Sequence, residues 1–173
     1  MKERNLGRSG LRVSAIGLGC NNLGGRIDLE ASRRVVHKAL DLGITLFDVA
    51  DVYGGLGGGH LGASEECLGA ILDERRKTIV LATKFGVPMS ETLKGASRRY
   101  IMSAVEASLR RLKTDWIDLY QVHRADPLTP GQGPLSRLLA LRRLAGGGGA
   151  MDGAALGLEP LRLLPGRIQS RGA

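Results

Sequence analysis

The chain has 173 residues, 43% of them hydrophobic and 24% charged, which supports one ordinary domain with a real core. No apolar run approaches the roughly 20 residues of a membrane helix, and the charged start Met1-Lys2-Glu3-Arg4-Asn5 leads into no signal-type apolar stretch. The net charge of +8 divides as +4 over residues 1–130 (19 Lys/Arg, 15 Asp/Glu) and +4 over 131–173 (6 Arg, 2 acids), with no basic block and no interleaved aromatics, so a nucleic-acid partner is not expected.

Residues 3–19 read as a hairpin followed by a strand. Arg8-Ser9-Gly10 is turn chemistry, and Leu11 to Gly19 alternates before becoming apolar. After a Cys20–Gly25 loop, Asp28 is a plausible N-cap for a helix with Ala31, Val35, Val36, Ala39 and Leu40 on its inner face. Gly43 is its expected stop. The next strand begins at Thr45 and runs through Phe47-Asp48-Val49-Ala50-Asp51-Val52-Tyr53-Gly54 into a long glycine-rich loop. Ser64 is expected to cap a second helix, with Glu65 and Glu66 in its first turn and Leu68, Ile71 and Leu72 on its apolar face.

A third strand, Ile79 to Thr83, ends at Lys84. Ser97 is expected to cap a third helix with Ile101, Val105, Leu109 and Leu112 inward. The fourth strand runs from about Trp116 to Val122 and ends at His123. Apolar strands alternating with helices imply a parallel sheet covered by helices. The strand ends near Gly19, Asp48, Lys84 and His123 lie 29, 36 and 39 residues apart, close to the roughly 31 per unit of an eight-unit barrel.

After Pro130 the composition changes. Residues 131–173 hold 10 Gly and 10 Leu but no Lys, Val, Phe, Tyr or Trp, so 1–130 and 131–173 are treated as separate regions. The second reads as a poorly ordered Gly/Leu/Arg tail, with one short helix over Ser136 to Leu144 at most. A linker, a tail and translation in a shifted frame all fit; the composition favours the last.

Three successive strand ends thus carry an acid, a phenol, an amine and an imidazole. Tyrosine alone, with a pKa of about 10, exchanges protons poorly near neutrality. An ammonium from Lys84 would favour the phenolate. Asp48 can hold Lys84 charged and aimed, and His123 can orient a substrate oxygen. The set suits protonation of a carbonyl oxygen as hydride reaches its carbon. Singly, each residue has an ordinary alternative: a loop-capping acid, a packed aromatic, a surface lysine, a satisfied histidine.

Residues 1–130 resemble the N-terminal half of an aldo-keto reductase. The resemblance is carried by Leu11-Arg12-Val13-Ser14 and Ile16-Gly17-Leu18-Gly19, by Phe47 to Gly54, by Ser64-Glu65 with Leu68-Gly69, by Thr83-Lys84-Phe85-Gly86, by Ser108 to Leu112 and by Asp118 to His123. It implies an α/β fold, a partial (β/α)8 TIM barrel of about four β/α units preceded by an N-terminal β-hairpin. It also implies NADPH as hydride donor, an aldehyde or ketone substrate, and Asp48, Tyr53, Lys84 and His123 as the catalytic tetrad with Tyr53 as general acid. Gly19, Cys20, Asn21 and Asp48 are the implied cofactor contacts.

The family barrel needs about twice this much chain. The expectation is therefore a truncated protein, weakly active or inactive, whose half-sheet has two open edges and an uncovered inner face. The alternative is a non-catalytic half-barrel that self-associates or joins a partner through those edges. A Rossmann domain fits less well: Gly57-Gly58-Gly59-His60-Leu61-Gly62 matches G-x-G-x-x-G, but the next strand ends at Ala82-Thr83-Lys84 with no acid. Cys20 and Cys67 have no metal-type spacing with the three histidines. No metal site is expected, and reduced thiols fit a cytoplasmic protein.

Overall fold

In a computed structural model, the described residues are 1–7, 9–124 and 126, with the backbone of 139–142. Strand β1 (Glu3–Asn5) pairs antiparallel with β2 (Arg12–Ser14) to make the hairpin. Its end is clasped to the chain entering the next sheet. The Ser14 N–H donates to Thr45 Oγ1 at 2.8 Å, and the Thr45 N–H donates to Ser14 Oγ at 2.9 Å.

The main sheet has the order β3 (Gly17–Gly19), β4 (Leu46–Asp48), β5 (Val80–Phe85), β6 (Trp116–Val122) and β7 (Leu139–Arg142). The first four are parallel neighbours, in register Gly19↔Asp48, Asp48↔Ala82 and Lys84↔Gln121. The partial barrel of four parallel strands is therefore present, and its ends are aligned.

Strand β7 departs from expectation. It lies within the stretch read as one short helix, yet it runs antiparallel along β6. The free side of β6 offers a row of N–H and C=O groups, and an extended segment satisfies them. The β6 edge is thus paired, whereas β3 pairs only with β4 among the described residues. On the inner face, expected to be uncovered, the register partners Ala82 and Leu119 are buried while Gly19 is exposed. The rest of the 131–173 region, with its assignment as a tail, lies outside the described residues.

Helices α1 (Leu29–Asp41), α2 (Ala63–Leu72) and α3 (Arg98–Arg111) pack side by side on the other face. Asp28 caps α1 as expected, its Oδ1 accepting from the Ala31 N–H at 2.7 Å. Gly43 follows the helix at φ +78°, a conformation that only glycine adopts without cost. The buried stripe of α1 is Ser32, Val36 and Ala39, while Val35 is 42% exposed. The stripe is shifted by part of a turn because Ser32, small enough to pack closely, takes the inward position expected of Ala31. In α3, Ser97 caps through the Tyr100 N–H, and Tyr100, Ala104 and Ser108 join Val105 and Leu109 inside.

The core lies between sheet and helices. Phe47, Leu81, Phe85 and Tyr120 meet Val36, Leu68, Ile71, Leu72, Val105 and Leu109. Phe85 stacks on Tyr120 with centroids 4.8 Å apart. Full burial of each large side chain contributes about 2 kcal/mol. Helix α2 keeps only a narrow solvated stripe, Glu66 and Ala70. Its Gly69 sits so near the end of α3 that a Cβ there would come within 2.5 Å of the Arg111 carbonyl oxygen.

Candidate active site

The parallel register delivers the site. Asp48 ends β4, Lys84 extends two residues past its level on β5, and His123 follows β6, its N–H held by the Phe85 carbonyl at 2.7 Å. Tyr53 arrives from the turn after β4. That turn is fixed on both sides: the Asp51 N–H donates to the Lys84 carbonyl at 3.1 Å, and the Ser64 N–H donates to the Tyr53 carbonyl at 3.2 Å.

The four side chains converge. Lys84 Nζ lies 2.8 Å from Asp48 Oδ1, donates to the Val49 carbonyl at 2.9 Å and reaches the Tyr53 hydroxyl at 3.3 Å. The ammonium is only 14% exposed while the carboxylate is 42% exposed. The His123 ring meets the Tyr53 ring edge-on at 5.6 Å. Desolvation lowers the His123 pKa from its ordinary value, and the nearby Lys84 ammonium lowers it further, so the imidazole is neutral at neutral pH. Its Nδ1 is buried and has no hydrogen-bond partner among the described residues. Lys84 therefore bridges a carboxylate to a phenol, and a neutral ring with an unused nitrogen stands beside that phenol. A cation held this way can supply or replace the phenol proton without leaving its carboxylate partner.

The residues proposed around a cofactor divide. At Gly19 a Cβ would meet nothing within 4 Å, so space is open at that strand end. Asn21 is exposed. Cys20 is placed differently: it is 0% exposed, and burial pushes its thiol up to about 12. Its N–H binds the Asp48 carbonyl, and its carbonyl accepts from the Ser64 hydroxyl. Its side chain is in the core and both its main-chain groups are engaged.

The expected Ser64 cap is corrected. Gly62 occupies the N-cap of α2, and Ser64 lies inside the first turn with its hydroxyl turned to Cys20. Glu65 does not face solvent near the helix dipole. It is fully buried, accepts from the Thr83 hydroxyl at 2.6 Å and pairs with Arg111 Nε at 2.7 Å. Asp51 feels the charges of this pair, is 1% exposed, and among the described residues no side chain hydrogen-bonds either of its carboxyl oxygens. Burial first, then the Glu65 charge, push its pKa up to about 7. Sequence reasoning missed this group behind the site. The one available signal was Asp51 itself, an acid inside an otherwise apolar and aromatic run. Among the described residues, no group of three or more His, Cys, Asp or Glu side chains is placed to hold a metal ion. No helix there is long and apolar enough to cross a membrane.

Comparison with known proteins agrees with this geometry. A sequence model of the aldo/keto reductase family matches residues 15–163. Over 127 residues the chain is 42% identical to the uncharacterized oxidoreductase YqkF of Bacillus subtilis, covering 71% of this chain and 39% of that protein. Over 138 residues it is 40% identical to the aldo-keto reductase YhdN of the same organism, covering 75% and 40%. The solved holo form of aldo-keto reductase AKR11C1 from Bacillus halodurans superposes with a TM-score of 0.60 at 42% identity, over 70% of this chain and 40% of that one. The chain thus spans about two fifths of the length of the relatives it matches. A parallel half-sheet with four reactive groups at its ends, and a sequence match over most of the chain, place this protein in the aldo/keto reductase family of oxidoreductases.

Proposed function

We propose that this chain carries the proton-transfer half of an NADPH-dependent reductase that turns aldehydes or ketones into alcohols. The observation that carries the reading is Lys84 Nζ, held 2.8 Å from the Asp48 carboxylate and 3.3 Å from the Tyr53 hydroxyl. Tyr53 gives its proton to the carbonyl oxygen, and Lys84 stabilises the phenolate left behind. Asp48 keeps Lys84 charged and in place. His123, neutral and beside the phenol, donates a hydrogen bond that orients the same oxygen.

NADPH, when bound, supplies the hydride. Open space at Gly19, exposed Asn21 and the partly exposed Asp48 carboxylate fit a group lying across the strand ends. Cys20 would serve only by shaping the loop from below. Because this chain matches only about two fifths of the length of its relatives, the 173-residue chain alone is proposed to turn over weakly or not at all. Two buried free cysteines fit a cytoplasmic setting.

Incubating the purified chain with NADPH and a panel of aldehydes tests the reading. Saturable NADPH oxidation that Tyr53→Phe abolishes supports it. Oxidation that Tyr53→Phe leaves unchanged sinks the assigned role of Tyr53. A second reading, association as a half-barrel, is favoured by β3, which has a partner on one side only among the described residues. A dimer in solution that ignores NADPH would favour association over catalysis.

A further inference from the structure

The group behind the site is wired to both halves of the Tyr53–Lys84 contact. Glu65 follows Ser64, whose N–H holds the Tyr53 carbonyl. Thr83, whose hydroxyl binds Glu65, precedes Lys84. Asp51 lies two residues before Tyr53 and is tied by its own N–H to the Lys84 carbonyl. Arg111 Nε is held by Glu65, and the same guanidinium is the largest favourable charge felt by Asp51. A second negative charge in that place has at most the neighbouring Val52 N–H to meet it, and a buried charge so poorly partnered is costly enough to be neutralised or moved towards water.

We propose, resting on the reductase reading above, that Asp51 is a proton-carrying positioning residue for Tyr53. With its carboxyl protonated, it fits beside Glu65 and Arg111 and keeps the Tyr53 hydroxyl at the Lys84 ammonium. On losing that proton, it pushes the Asp51–Gly54 turn outward and draws Tyr53 away from Lys84.

The groups facing Asp51 come from every packed element. Glu65 on α2 opposes its ionisation; Arg111 on α3 and Lys84 on β5 favour it. Tyr100 on α3 and Tyr120 on β6 feel its charge, and both phenols are held well above their ordinary range by burial. Those two stay protonated wherever Asp51 titrates, so a change in the Tyr53 environment is not confused with theirs. His123 touches the Tyr53 ring but loses its proton below the ordinary imidazole range.

The experiment is a pH titration of the whole chain by NMR, with carboxyl-labelled aspartate and ring-labelled tyrosine. Tyr53 is assigned by the resonance that Tyr53→Phe removes. The expected result is one aspartate carboxyl with a midpoint near 7 and a Tyr53 ring shift with the same midpoint. His123→Gln retains that step. Asp51→Asn removes it and leaves Tyr53 at its low-pH position up to about pH 8, a full unit past that midpoint.

A Tyr53 resonance that ignores the aspartate midpoint overturns the proposal, as does a step that persists in Asp51→Asn. If Asp51→Asn does not fold, the two midpoints in the His123→Gln chain decide instead: coincidence supports the proposal and divergence overturns it. The titration uses neither nucleotide nor substrate. NADPH oxidation that Tyr53→Phe leaves unchanged therefore counts against the reductase reading without touching this one.

Discussion

Two ion pairs of this protein stand close together and do opposite things. Lys84–Asp48 sits at the open ends of the strands, with a carboxylate 42% exposed and a lysine that still reaches a phenol. Glu65–Arg111 sits behind it between sheet and helices, with a carboxylate that sees no solvent and a hydroxyl filling its remaining need. The first is left incomplete, so a substrate oxygen can become its next partner. The second is closed, and its worth is to the fold. A buried pair is weak support for stability as such, but removing one partner is severe because it strands the other.

The sharpest way to break this contrast is Arg111→Met. It leaves Glu65 and Asp51 buried with no cation between them. We expect a loss of about 4 kcal/mol in urea unfolding at pH 7. Next comes Tyr53→Phe, which removes only the hydroxyl at the open pair. Reductase turnover, measured as NADPH oxidation, should fall at least about 100-fold while the unfolding midpoint stays within the error of the measurement.

Asp51→Asn sharpens the comparison through pH. Folded Asp51 keeps its proton up to about 7, whereas the unfolded chain gives it up near the ordinary carboxyl value of 3.8. The native state therefore binds the extra proton across that interval, and its stability falls as pH rises through it, then levels off above 7. Asp51→Asn does not titrate. It should stay close to the parent chain at about pH 4 and exceed it by up to about 4 kcal/mol at about pH 8 in the same unfolding measurement. The smallest expected effect lies far from both pairs. Asp28→Ala removes the cap of α1 and should cost about 1 kcal/mol, with no change in any property of the site.

The open pair was legible in the sequence because each member terminates an apolar run. Parallel strands in register align their ends, so four reactive residues at strand ends needed only the alternation of strand and helix to be brought together. The closed pair was not legible. Glu65 and Arg111 are 46 positions apart on two helices, and nothing in their spacing says that they meet. Glu65 in a first helical turn has an adequate solvent-exposed explanation, and only tertiary burial overrides it. Ser64 failed for a related reason: its hydroxyl finds the Cys20 carbonyl across the core before it finds its own helix. Strand β7 was missed because Leu and Arg favour helix locally, while a row of unmet backbone groups on β6 favours an extended neighbour.

The clasp between Ser14 and Thr45 has a dynamic corollary. All three β1 residues are exposed, and only Val13 and Ser14 of β2 are buried. Undoing two reciprocal bonds and lifting one valine therefore frees the whole ribbon, at a fraction of the free energy needed to melt the sheet. In hydrogen exchange its amides should surrender deuterium first, as an independent opening unit that leaves the reactive strand ends protected.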